Sequence, residues 1–160
     1  MPNIINADLF CHEADPRPIT KQSMANAPIS EVYAAWTDSD TFCRVYDPEN
    51  KSITANIELK VGGRFEWLWD GHTGSNDCQV LSFIPDRMIS FSWNAPPNQP
   101  SSRALRTWVV VEFEPLDVET TQVTLTHLGF GSAPHWEETR NYFAAAWDIV
   151  MARFKENLQK

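Results

Sequence analysis

His127 ends the run Val123-Thr-Leu-Thr-His127, in which apolar and polar residues alternate. Strand residues two apart share a face, so His127 is expected to point inward with Val123 and Leu125. A neutral imidazole there can both donate and accept, which suits a pocket hydrogen-bonder or an acid–base group. The competing reading is a core histidine satisfied by a backbone carbonyl or a neighbouring side chain, the usual fate of a buried polar group. Arg64, after Gly62-Gly63, and Arg103 and Arg106, beside a Pro/Ser-rich stretch, carry the fork that grips a carboxylate, although a surface role is the commoner one. Cys11-His12-Glu13, with Asp8 and Asp15 nearby, has metal-capable atoms at a spacing that matches no structural zinc site. Asp70, His72 and Asp77 flank a turn and read as solvated. No G-x-S-x-G elbow, Walker loop or dinucleotide fingerprint occurs. His127 is thus the only catalytic candidate, with no assembled motif around it. No metal and no cofactor are expected, and the reading leans away from an enzyme.

These side chains need elements to hold them. Residues 19–26 are read as a first strand, after an irregular lead-in over residues 1–18. Ile29, Val32, Tyr33 and Trp36 fall at helical spacing behind Pro28, and Thr37-Asp38-Ser39-Asp40 caps a second short helix with Phe42, Val45 and Tyr46. Alternation then marks strands around Ile53–Leu59, Phe65–Trp69, Asn76–Ile84, Ile89–Trp93, Val109–Phe113 and Val123–His127. Glu58, Glu66, Glu112 and Glu114 are expected on the solvent side. The stretch from Asn94 to Ser102 is too long for a simple hairpin and is expected to be mobile. A long helix starts near Pro134 and carries Trp136, Phe143, Trp147, Val150, Met151, Phe154 and Leu158 on one side. A sheet with one apolar face and a helix with one apolar stripe must cover each other.

The chain has seven Trp, nine Phe and three Tyr, an aromatic share of 12%. Trp67, Trp69, Trp93 and Trp147 converge on the space between sheet and long helix, where they either line a cavity or fill a core. Trp36 packs the first short helix, and Trp108 falls on the opposite face. The net charge of −8 argues against a nucleic-acid backbone or an anionic membrane as partner. Three scattered cysteines suggest no disulfide framework. No leader or membrane-length apolar run is read, and the cytoplasm is the expected location.

In this order and spacing, the segments Ala27-Pro28…Val32-Tyr-Ala-Ala-Trp36-Thr-Asp38, Val61-Gly-Gly-Arg-Phe65, Val80-Leu-Ser-Phe-Ile-Pro85, Ile89-Ser-Phe-Ser-Trp93 and Val123-Thr-Leu-Thr-His127-Leu-Gly129 resemble the START-like SRPBCC superfamily. The branch is that of the activator of the 90-kDa heat-shock protein ATPase, in its C-terminal domain. The resemblance covers residues 19–158 and implies an α+β helix-grip: a curved antiparallel sheet of about seven strands around a long C-terminal helix, with two short helices after the first strand. It further implies one domain over residues 19–160. The family usually carries a Trp in the second short helix, where this chain reads Thr41-Phe42-Cys43-Arg44-Val45-Tyr46. The cochaperone has an additional N-terminal domain for which this chain is expected to have no room.

Family activities run from lipid carriage to polyketide cyclisation and cochaperone action, so fold alone selects none of them. The first expectation is a small-molecule binding protein holding an apolar or aromatic ligand between sheet and helix. Its expected wall is Trp67, Trp69, Phe91, Trp93, Val111, Leu125, His127, Phe143, Trp147 and Met151. The alternatives are a cyclase/aromatase-type or hydrolytic enzyme in the same cavity, and a cochaperone-like interaction module. A homodimer is a further expected partner state, with Trp108 and Val110 or a sheet edge as its contact.

Overall fold

The computed structural model describes residues 4–11, 15–49 and 51–158. Strand β1 (Ile19–Ala25) leads into helices α1 (Ile29–Thr37) and α2 (Ser39–Tyr46). Pro28 opens α1 with extended backbone, and the Asp38 carboxylate caps α2 by accepting from the Thr41 N–H at 2.9 Å. Then follow β2 (Ile53–Ile57), β3 (Phe65–Trp69), β4 (Thr73–Gly74), β5 (Val80–Ile84) and β6 (Met88–Trp93). A helical turn, α3 (Pro100–Arg103), precedes β7 (Thr107–Asp117), β8 (Thr120–Leu128) and the long α4 (His135–Leu158).

All pairings between strands are antiparallel. Five strands run in the order β1-β8-β7-β6-β5, and β2-β3-β4 form the other wing. The wings join where Arg64 pairs with Gln79: the Val80 N–H donates to the Gly63 carbonyl and the Phe65 N–H to the Cys78 carbonyl, each at 2.8 Å. Gly62 has φ 82°, open to glycine at little steric cost, and a Cβ on Gly63 would lie 2.1 Å from the Glu58 carbonyl. The double glycine therefore lets the sheet bend at that junction. The fold is the α+β helix-grip expected, with the two-residue β4 bringing the count to eight strands.

The core lies between the sheet's inner face and α4. Along β8, Val123, Leu125 and His127 are buried in strict alternation, as are Val109, Val111 and Phe113 along β7. On α4 the buried stripe is Trp136, Thr139, Phe143, Trp147, Val150, Met151 and Phe154. In α2, Phe42 stacks on Trp67 with ring centroids 4.4 Å apart. Two expectations are corrected. Glu66 is 7% exposed, because its carboxylate accepts from Asn56 Nδ2 at 3.2 Å and from the Asp77 N–H at 2.7 Å. The strand expected from Asn76 begins at Val80, since residues 75–79 are spent turning the chain back from β4. Trp108 does sit on the outer face, but Phe10 of the lead-in covers it edge-on at 6.0 Å. The Arg106 N–H also bonds the Leu9 carbonyl there.

Candidate functional site

A cavity of about 190 Å³ opens between β3, the end of β6, the segment that follows it and the middle of α4. Trp67 and Trp69 come from β3, Trp93 from β6, and Phe143, Ala146, Trp147 and Val150 from α4. Trp67 and Trp69 share a face by strand alternation, and Phe143, Trp147 and Val150 share one by helical spacing. Trp93 stands edge-on to Trp67 at 5.1 Å, and Trp147 lies 5.7 Å from Trp93. Trp69, at 41% exposure, marks the rim, whereas Trp67 and Trp147 are sealed at 1% and 2%. A hollow of about 590 Å³ between α1, α2 and the end of α4 is larger, but Glu31, Arg44 and Pro48 make it an exposed surface groove.

Five of the ten residues expected in the wall therefore line this cavity: Trp67, Trp69, Trp93, Phe143 and Trp147. The other five, Phe91, Val111, Leu125, His127 and Met151, are packed into the core behind it. Phe91 is withdrawn because it stacks on Phe65 at 3.8 Å, and Val111 and Leu125 lie opposite each other deep in the sheet.

His127 is fully buried and each ring nitrogen has a partner. Trp147 Nε1 donates to His127 Nδ1 at 2.9 Å, and His127 Nε2 lies 2.6 Å from Thr107 Oγ1. An indole nitrogen only donates, so Nδ1 must be bare and the ring proton must sit on Nε2. That proton goes to Thr107 Oγ1, whose own hydroxyl donates to the Trp93 carbonyl at 3.3 Å. Burial, aided by the charge of Arg140, pushes the imidazole down to about 3, so it stays neutral. The arrangement gives His127 no lone pair to take a proton from a ligand, and it ties α4 to β8, β7 and β6.

The polar side of the cavity comes from residues that alternation does not single out. Arg103 is its sole charged lining residue among those described. Its Nη1 donates to the Ala95 carbonyl at 2.6 Å, and its Nη2 to the Gly74 carbonyl at 3.0 Å and to Asn76 Oδ1 at 3.1 Å. Asn94, also in the wall, donates through Nδ2 to the Asn76 carbonyl at 3.3 Å. Close by, Ser102 Oγ meets His135 Nδ1 at 2.8 Å and Thr139 Oγ1 at 2.6 Å. A serine beside a histidine invites a nucleophilic reading. Ser102 is only 2% exposed, however, and the cluster latches the 94–106 segment to the start of α4. The stretch expected to be mobile is thus pinned by Ser102, Arg103 and Gln99, the last accepting from Thr139 Oγ1 at 2.7 Å.

No group of three or more potential metal ligands occurs among the described residues; His12 and Glu13 lie outside them. Cys78 is buried, which pushes its thiol up to about 12, so it is no nucleophile. Arg64 pairs with Glu58 at 3.2 Å on the surface, and Asp70, His72 and Asp77 are exposed or belong to turns.

A family model described as Activator of Hsp90 ATPase homolog 1-like protein matches residues 26–159. The chain belongs to this family. The START-like, SRPBCC reading of the sequence holds with it. No curated protein matches the chain in sequence. Among solved structures, the Aha1 dimer from Colwellia psychrerythraea aligns with TM-score 0.66 at 16% identity, covering 89% of this chain and 96% of that one. An HSP90 activator from Plasmodium falciparum aligns with TM-score 0.61 at 18% identity, covering 84% and 90%. DynU16, a protein of the dynemicin biosynthetic locus, gives TM-score 0.63 at 17% identity, covering 89% of this chain and 47% of that one. Likeness at such identities shows a shared fold. No described helix of this family member is long and apolar enough to cross a membrane.

Proposed function

We propose that this chain is a small-molecule binding protein of the cytoplasm that takes an apolar or aromatic ligand between β3, β6 and α4. The observation that carries the reading is the cavity of about 190 Å³ walled by Trp67, Trp69, Trp93, Phe143 and Trp147. An engineered apolar cavity of about 150 Å³ already admits benzene, so this one suits a single substituted ring. Flat indole faces provide the apolar walls that such a ligand needs. The three free cysteines agree with a reducing compartment.

The test is binding of benzyl alcohol and benzamide, followed by thermal shift and by tryptophan emission. Both probes should raise the melting temperature at millimolar concentration. Replacing Ala146, a small residue in the wall, by Phe should block them while the protein remains folded. Failure of both probes to change either signal in the folded wild-type protein would overturn the reading.

A second reading is a protein-interaction role toward a 90-kDa heat-shock protein, favoured by the family match and by the Plasmodium falciparum relative. It expects a changed chaperone ATPase rate, and an unchanged rate at large molar excess counts against it. Self-association is part of that reading, since the Colwellia psychrerythraea relative is a dimer; sedimentation of the purified chain checks it.

A further inference from the structure

We propose that the ligand of this cavity is a small aromatic acid whose carboxylate is received by Arg103, at the end of the cavity formed by Gly74, Asn94 and Ala95. This rests on the small-molecule reading above and narrows it from apolar compounds in general to anionic ones.

Charge points to an anion. Among the described residues the cavity wall contains one charged side chain, Arg103, in a chain whose net charge is −8. No carboxylate among the described residues pairs with it. Its three protein bonds all go to neutral oxygens, those of Ala95, Gly74 and Asn76. Those bonds aim the fork without neutralising it, and the Nε–H has no protein acceptor among the described residues. Arg106, whose Nη1 donates to the Arg103 carbonyl at 3.3 Å, adds positive charge and likewise has no acidic partner there. Burial and the charge of Arg106 both act against the protonated Arg103. An arginine nonetheless keeps its proton, so a half-buried cation stands in an apolar wall with no counter-ion. A bound carboxylate supplies one and makes charge-assisted bonds.

Size narrows the class further. A space of about 190 Å³ takes one ring with a short acidic substituent, and an acyl chain or fused polyketide would not fit without rearrangement.

Benzoate and benzamide are near-isosteric and differ in charge, so they serve as probes. Affinities are measured by ligand-observed NMR titration against the wild-type chain, Arg103→Gln and Arg103→Lys, with near-ultraviolet circular dichroism confirming the fold. Wild type should prefer benzoate by roughly tenfold or more, the worth of one charge-assisted bond. Arg103→Gln should bring the ratio near one, and Arg103→Lys should keep part of it. Should Arg103→Gln fail to fold, salt decides within wild type: benzoate binding must weaken with added salt while benzamide binding does not. Equal affinities in wild type, a preference surviving in Arg103→Gln, or salt-indifferent benzoate binding would overturn the inference and leave the small-molecule reading standing. Absence of binding by both probes would bring down the two together.

Discussion

At the residue scale, the bonds around His127 make two separable predictions. Trp147→Phe keeps a ring in the core but removes the indole donor to Nδ1. The cost expected is about 1–3 kcal/mol for an unsatisfied buried acceptor, on top of any packing loss, and urea denaturation measures it. The second prediction concerns acid. Burial lowers the folded-state His127 from 6.5 to about 3, so between those pH values the unfolded chain carries a proton that the folded chain refuses. Protons then favour unfolding. The stability this group leaves intact above pH 6.5 is lost progressively as pH falls toward 3. His127→Asn should flatten that part of the stability–pH curve, whatever its effect on absolute stability. An identical slope in both proteins would place the acid sensitivity elsewhere.

Elements differ in how they hold, and that decides which were readable. Each of the two short helices, the long helix and most strands repeats its apolar residues at its own period, and the period is a local property. The 94–106 segment has no period. Its order comes from Thr139, 37 residues away from Ser102, and from the Gly74 carbonyl, 29 residues away from Arg103. Contacts of that range leave no mark on neighbouring residues, so a Pro/Ser-rich stretch read naturally as loose. Thr139→Val should release the latch, and amide hydrogen exchange over residues 95–105 should accelerate well beyond any change in the sheet. Gly129 belongs to this scale too. Its φ of 88° and the 2.5 Å between a built Cβ and the Trp108 ring leave no room for a side chain. Gly129→Ala should lower the melting temperature appreciably, with thermal denaturation as the check.

For the whole molecule, the sheet–helix plan was legible because its two apolar surfaces have no other way to leave water. The cavity lining was legible only in its aromatic half. Alternation brings Trp67, Trp69 and Trp93 to the inner face and helical spacing adds Phe143 and Trp147, but depth along that face is not periodic. Phe91, Val111, Leu125, His127 and Met151 have the same orientation and sit deeper in the core. The polar half, Arg103 and Asn94, arrives through a segment whose course depends on distant partners. The lead-in behaves similarly: Phe10 covers Trp108, although nothing near either residue announces the pairing. Phe10→Ala should expose that indole and shift its emission to the red. The Trp147–His127–Thr107–Trp93 relay also bears on how α4 is seated. Oily contacts let a helix roll on a sheet at little expense, and one residue of roll turns it by about 100°. A directional bond near the helix midpoint forbids that rotation, so the relay sets the angle at which α4 presents itself. With that angle held, Trp147 and Ala146 face the cavity rather than the charged Asp148.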